Sequence, residues 1–452
     1  MFYFNSWKKL FSHKIVIIVL FALFVRIIVL IMAHPWSEPV LLNDEYNHAF
    51  MGEYILNNGD FNYNVYTEVY SSFRAPGYPL FIALIYFILG KTLWLIPFVQ
   101  VILDTGTVII IYFISLELFK SKKISLIAAL LYSINLPSVF YAQFVIPDLF
   151  FVFLFSLSIL LFIRAVKSNS LLGYIIAALL LGLSVNIKPI VLYFPVVIFI
   201  IVLFTKNKPV KKLIFFSAFL ITFLLLLLPW QLRNLNTFGH FKFTSQSGYS
   251  VYNYNIAIAE ADLYDKPIQE IKNEHLRKVE TISNPFDKSA VYDKLAIDFL
   301  LEHPFVYAKH HIFGMIKMFL STSKGFLLKL FNIEFDNDFR KNPKSIYYRV
   351  IQNIYSPEHL FLTPILISIN ILIYIFSLFG IYKMWRANYM ELLFLIIIIA
   401  YFVNITGVIG GLQYKLPVIP FYMILSAVGI IEFYQILLEK YWERKTINNS
   451  IT

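Results

Sequence analysis

Cysteine is absent from the 452 residues. That excludes disulfides, zinc thiolates, iron–sulfur clusters and a thiol nucleophile. Charge is scarce too: 14% of residues are Asp, Glu, Lys or Arg, against about 25% in an ordinary soluble domain. There is no Walker loop, no dinucleotide fingerprint and no metalloprotease histidine pair, so no nucleotide, cofactor or fixed metal is expected. No fixed-period repeat divides the chain, and no low-complexity linker does.

What is abundant is apolar. Hydrophobic residues make up 59% of the chain, and the mean hydropathy is +0.70. Apolar runs of about 18 residues recur, the length that a helix needs to cross a bilayer. The chain reads as an all-α polytopic membrane protein. The net charge of +11 falls mostly in short loops between those runs, which fits the positive-inside bias better than a nucleic-acid surface. No DNA- or RNA-binding motif accompanies it, so no nucleic-acid partner is expected. The first apolar run follows Lys8, Lys9 and Lys14 without a small-residue cleavage site, and it reads as a retained helix.

Spans are predicted to start near residues 15, 94, 124, 148, 171, 190, 212, 361, 389 and 417. The stretch "YPLFIALIYFILG" (78–90) is short for a core of about 30 Å. If it crossed, "KSKK" (120–123) and "KNKPVKK" (206–212) would face outward, against the charge bias. It is therefore placed as an interfacial or re-entrant helix. This leaves about ten crossings, with both termini in the cytoplasm. Three parts are expected: 1–231, a catalytic membrane module with a first outer loop at 34–93; 232–358, a mixed extracytoplasmic region; and 359–452, the last helices and a cytoplasmic tail. "SQSGYSVYNYN" reads as turn-rich, whereas 293–320 reads as a helix lying along the membrane surface.

Several polar residues converge on the expected outer face. Asp44 and Glu45 stand in "LLNDEYNHAF", just past the first span. A carboxylate there can take a proton from a hydroxyl; Asn43 or Asp44 can equally cap a helix over 45–56. Arg74, in "FRAPGYPLF", has a side chain suited to clasping a phosphate, or to reaching lipid headgroups. Asp148 follows Pro147 at a helix start, where an acid suits the dipole, and it is also placed to be a second acid in the same cavity. Lys188, Lys415 and Arg233 put positive charge on the face that should be poor in it, which suggests a bound phosphate. His48, Tyr78 and Tyr414 are expected to line the substrate cleft. Arg26 and Asp104 lie inside spans, where ionisable groups are normally paired, and a mutual ion pair is expected.

These stretches resemble a known family. "NDEYNHAFMGEYILNNGDF" followed by "FRAPGYPLFIALIYFILG" looks like the first outer loop of the protein O-mannosyltransferase and aminoarabinose-transferase family, within the glycosyltransferase C superfamily. "VIPDLFFVFLF", "GLSVNIKPIVL", "LLPWQLRN", "SQSGYSVYNYN" and "QYKLPVIPFYMILSAVGI" follow in the family's order. The resemblance implies a polyprenyl-phosphate sugar as donor, and a protein, lipid or glycan as acceptor. It implies a multi-pass protein of the cytoplasmic membrane with its active site on the extracytoplasmic face. Asp44 would be the base of an inverting displacement, with Glu45 and Asp148 as further acids. Arg74, Lys188, Lys415 and Arg233 would steady the donor phosphate. His48 departs from the family's frequent Tyr, and 232–358 has no clear counterpart in the eukaryotic mannosyltransferases. Two other functions use the same features: a transporter or flippase of an anionic lipid-linked sugar, and a non-catalytic envelope-assembly component. The absence of an inverted repeat and of paired broken helices counts against transport.

Overall fold

The computed structural model describes residues 13–33, 43–63, 70–322 and 362–451. Lys8, Lys9 and residues 323–358 of the expected extracytoplasmic region lie outside the described residues. Within them every regular element is a helix.

The first membrane helix, α1 (His13–Ala33), spans about 31 Å at 1.5 Å per residue, the thickness of a bilayer core. One stripe of it is buried, through Ile15, Ala22, Arg26 and Leu30, while Leu20, Phe24 and Ile31 face outward as lipid-facing residues should. Two helices follow, α2 (Asn43–Asn58) and a single turn, α3 (Tyr70–Phe73), and then α4 (Gly77–Leu89). α4 lies along α2: a Cβ on Gly52 would collide with Ile82, and Lys91, just past α4, pairs with Glu53. Thirteen residues reach only about 20 Å. α4 is thus tied to the same short polar helix at its middle and just past its C-terminal end.

The bundle proper continues with α5 (Leu95–Phe119), α6 (Lys122–Ser133) with α7 (Leu136–Tyr141), and α8 (Asp148–Ser168). Next come α9 (Leu171–Ile187), α10 (Phe194–Leu203) and the long α11 (Pro209–Phe238). Two helices near the C-terminus, α17 (Leu362–Ala387) and α18 (Tyr389–Ile405), precede a short α19 (Leu412–Lys415) that runs through a 3₁₀ turn into α20 (Ile419–Ile451). Among the described residues, six helices are long and apolar enough to cross a membrane on their own. α4, α9, α10 and α18 are shorter apolar helices, and α6 runs into α7 through a break. The six long helices, α6 with α7, α9, α10 and α18 begin close to the ten positions where spans were expected.

α5, α8 and α20 form the centre of the bundle and are mostly buried; α1, α11 and α17 are peripheral. Small residues set the close contacts, as is usual where lipid supplies no hydrophobic drive between helices. α17 and α20 cross at Gly380 and Gly429, where a Cβ on either would collide with a backbone carbonyl of the other helix. The break between α6 and α7 falls before Pro137, where Asn135 caps α7 by accepting from the Ser138 amide at 3.2 Å. Arg26 reaches that break: its Nε donates to Asp104 Oδ2 at 2.6 Å and its Nη1 to the Ser133 carbonyl at 3.0 Å, and both charged side chains are fully buried.

Between α11 and α17, the described residues form a helical cap at one end of the bundle. It contains α12 (Gln246–Ser250), a π-helical turn (Val251–Ile256), α13 (Ala257–Leu263), α14 (Ile268–Arg277), α15 (Pro285–Glu302) and α16 (Pro304–Leu320). "SQSGYSVYNYN" is helical where its Ser, Gly and Asn content suggested turns. Tyr252 and Ile256 draw it into a small apolar core with Ala259, Val279, Tyr292, Ala296 and Phe299, so burial outweighs weak helix propensity. The expected helix over 293–320 is two helices, because Pro304 cannot donate to a continuing ladder.

Candidate active site

α2 carries Asp44 and Glu45 in its first turn, where the exposed N–H groups favour acids. Glu45, His48, Met51, Gly52 and Ile55 recur at helical spacing and are buried, several of them against α4, while Asp44 stays 65% exposed. Pro76 and Gly77 begin α4 so tightly against α9 that a Cβ on Gly77 would lie 2.6 Å from the Asn186 carbonyl oxygen. The turn before it delivers Arg74, whose Nη2 donates to Asp44 Oδ1 at 2.8 Å. Ser72, two residues earlier, is clipped to the cap. Its carbonyl accepts from the Ser245 amide at 2.9 Å, and the two hydroxyls lie 3.0 Å apart.

A second acid–cation pair is built by other elements. Asp148 opens α8 after Pro147, and Lys188 ends α9 before Pro189. Lys188 Nζ donates to Asp148 Oδ1 at 2.6 Å, and both side chains are largely buried. The Lys188 ammonium also lies 5.7 Å from the centre of the Tyr414 ring.

Tyr78 joins the two pairs. Its hydroxyl donates to Gln100 Oε1 at 2.9 Å and lies in the field of both Glu45 and Asp148. Its ring meets that of His48 edge-on, at 5.0 Å between centroids. Gln100 in turn donates to the Phe144 carbonyl at 2.7 Å, and Glu45 accepts from the Val145 amide at 3.0 Å. These bonds hold the 142–147 loop that leads into Asp148. His48 is buried, and burial followed by the nearby Arg74 guanidinium holds its imidazole well below the usual range. It is therefore neutral near pH 7.

Eight residues singled out from the sequence thus come together: Asp44, Glu45, His48, Arg74, Tyr78, Asp148, Lys188 and Tyr414. Two point elsewhere. Arg233 donates to the Ser71 carbonyl at 3.0 Å and the Phe61 carbonyl at 3.4 Å, and lies over Trp230 and Phe238, so it clamps the loop after α2 to α11. Lys415, the next residue after Tyr414, is fully buried and points away from Lys188. It donates to the Phe319 and Ser321 carbonyls at 3.0 and 3.3 Å and to Asn370 at 3.3 Å.

Sequence reasoning missed Gln100 and Tyr63. Gln100 carried a signal, a lone amide early in an apolar span. Tyr63 carried none. Its hydroxyl is buried within the field of both Arg74 and Arg233, without a hydrogen-bond partner among the described residues. Among the described residues, no cluster of three or more His, Asp or Glu is arranged to hold a metal.

Residues 74–231 match the family described as dolichyl-phosphate-mannose-protein mannosyltransferase. No curated protein matches the chain in sequence. Among solved structures, the chain is similar to the archaeal oligosaccharyltransferase AglB from Archaeoglobus fulgidus in complex with an inhibitory peptide and a dolichol-phosphate. The identity is 14% and the TM-score 0.54, over 96% of this chain and 52% of that one. The Archaeoglobus fulgidus oligosaccharyltransferase in complex with zinc and sulfate aligns at 15% identity and a TM-score of 0.53, covering 94% and 49% of the two chains. ArnT from Cupriavidus metallidurans bound to undecaprenyl phosphate aligns at 14% and 0.41, covering 92% and 76%. The chain spans about half the length of the archaeal enzyme, and at these identities the likeness is one of fold. Residues 74–231, about a third of the chain, therefore match that family's model, and over 96% of its length the chain shares the fold of part of the archaeal oligosaccharyltransferase.

Proposed function

We propose that the protein transfers a sugar from a polyprenyl-phosphate donor to an acceptor hydroxyl at the outer face of the cytoplasmic membrane. The observation that carries this reading is the exposed Asp44 carboxylate beside Arg74, with the Asp148–Lys188 pair behind it, at one end of a bundle of this fold. Asp44 takes the proton of the acceptor hydroxyl. The acceptor oxygen bonds to the anomeric carbon as the carbon–oxygen bond to the phosphate breaks, and polyprenyl phosphate leaves with the electron pair. Direct displacement inverts the anomeric centre. Charge develops on the leaving phosphate, where preorganised cations stabilise it most; Arg74 and Lys188 are the two beside the acids. Arg233 and Lys415 are already committed to carbonyls and act by holding the site's walls.

Charge distribution supports the outer face. Lys120, Arg164 and Lys167 gather round Glu117 at the far end of the bundle from Asp44, where Lys122, Lys123, Lys206, Lys208, Lys211 and Lys212 also lie. That end is cytoplasmic under the positive-inside rule. The acceptor is a protein, a lipid or a glycan.

The test uses purified protein, a panel of polyprenyl-phosphate sugars and an envelope extract as acceptor, and follows release of polyprenyl phosphate. Release by wild type and its loss in Asp44→Asn are expected. Full activity in Asp44→Asn would remove the base assignment, and no release with any donor would favour lipid translocation instead.

A further inference from the structure

A guanidinium can hold two oxygens of one anion along the edge formed by its Nε and Nη2. In Arg74 that edge is half used. Nη2 donates to one oxygen of Asp44, while Nε is buried and has no hydrogen-bond partner among the described residues. A buried donor left this way is unusual enough to require an explanation. The two partners also differ in freedom. Asp44 is 65% exposed and can swing into water, whereas Arg74 is 22% exposed and lies over the Phe73 ring. The other cations of the site are held harder. Lys188 faces a largely buried carboxylate, Arg233 and Lys415 face backbone carbonyls, and His48 is neutral beside Arg74. Arg74 is thus the cation whose present partner is most easily displaced.

We propose that Arg74 is a switch: without donor it engages Asp44, and on donor binding it turns its Nε–Nη2 edge to the lipid phosphate and releases the Asp44 carboxylate. This rests on the functional reading above and goes beyond it. An exposed pair of this kind is weak, and a phosphate that fills both donors of the edge outcompetes a single carboxylate oxygen. Asp44 is then free to face an acceptor hydroxyl only when a donor is in place. The order of binding follows, donor first and acceptor second. In this arrangement Asp44 opposes donor binding even though it serves the reaction.

The experiment measures the dissociation constant of undecaprenyl phosphate for the full-length protein in detergent. It compares wild type, Asp44→Asn, Arg74→Ala and the double variant, with undecaprenol as the uncharged control. Asp44→Asn is expected to bind undecaprenyl phosphate about fivefold more tightly, the size of effect an exposed ion pair supports. Arg74→Ala should bind it more weakly, and in that background Asp44→Asn should change nothing. Arg74→Gln replaces the alanine variant if the latter is poorly folded. Equal binding by wild type and Asp44→Asn overturns the switch. Equal tightening in the Arg74→Ala background overturns it too, since the carboxylate would then act by simple repulsion. If wild type held undecaprenyl phosphate no more tightly than undecaprenol, the functional reading would fall and the switch with it.

Discussion

Arg26 and Asp104 join α1 to α5 and to the break between α6 and α7, and their energetics can be set against measurement. Both are fully buried, 2.6 Å apart. Asp104 also accepts from the Tyr132 hydroxyl at 2.6 Å, and Arg26 also donates to the Ala22 and Ser133 carbonyls at 3.2 and 3.0 Å. Arg26→Leu leaves a buried carboxylate without its counter-charge, and Asp104→Leu leaves a buried guanidinium without its own. Each should destabilise by about 3–5 kcal/mol, the usual result of unpairing a buried charge. Replacing both removes the charges together. What remains unmet is the Tyr132 hydroxyl and the Ser133 carbonyl, at about 1–3 kcal/mol each. This is offset by the about 1–4 kcal/mol that replacing a buried ion pair with apolar residues can return, so the double variant should lose only about 1–3 kcal/mol. The two substitutions would then couple by about 3 kcal/mol or more. The assay is a double-mutant cycle on unfolding in mixed micelles of detergent and dodecyl sulfate. A double variant less stable than either single one would refute the reasoning, because it would mean that the two residues stabilise the bundle independently.

Three shorter predictions concern the site and the topology. His48 has a depressed folded pKa, so as pH falls below about 6.5 the unfolded chain gains a proton that the folded chain refuses. Its contribution to stability is full above that pH and shrinks below it, by up to about 1.4 kcal/mol per pH unit. His48→Gln should flatten unfolding measured between pH 6.5 and 5.5, though His310 and His311, lowered chiefly by burial, add a slope of the same sign. An unchanged slope would show that His48 is not held neutral. Glu45→Gln keeps an acceptor for the Val145 amide, 3.0 Å away, and should fold like wild type, whereas Glu45→Ala orphans that amide at a cost of about 1–3 kcal/mol. Equal stability of the two would mean that the loop before Asp148 does not depend on Glu45. The chain lacks cysteine, so Ser121→Cys gives a clean label; it should react only with membrane-permeant reagents. Labelling from outside by an impermeant reagent would invert the proposed orientation.

The positions of the long apolar helices were legible because burial in lipid requires long apolar runs, and a sequence shows those directly. For α4, the charge of the loops supports only an expectation that it does not cross; its packing along α2 was not visible in that charge. The acids and cations of the site were visible as polar residues at span ends, where such residues are few. The turn content of "SQSGYSVYNYN" misled, because a small apolar core at Tyr252 and Ile256 outweighed it.

The sequence by itself determined the class of molecule: many spans, no thiol chemistry, and a short list of charged residues at helix ends. Only the tertiary structure decided which of those charges meet. Tyr414 and Lys415 are neighbours in sequence, yet one faces Lys188 and the other is buried against Phe319 and Asn370, because adjacent residues on a helix point about 100° apart. Arg74 and Asp44 are 30 residues apart and touch, because Gly52 and Gly77 let α4 settle against α2 and α9. Sequence spacing cannot express that closeness; the packing of three helices does.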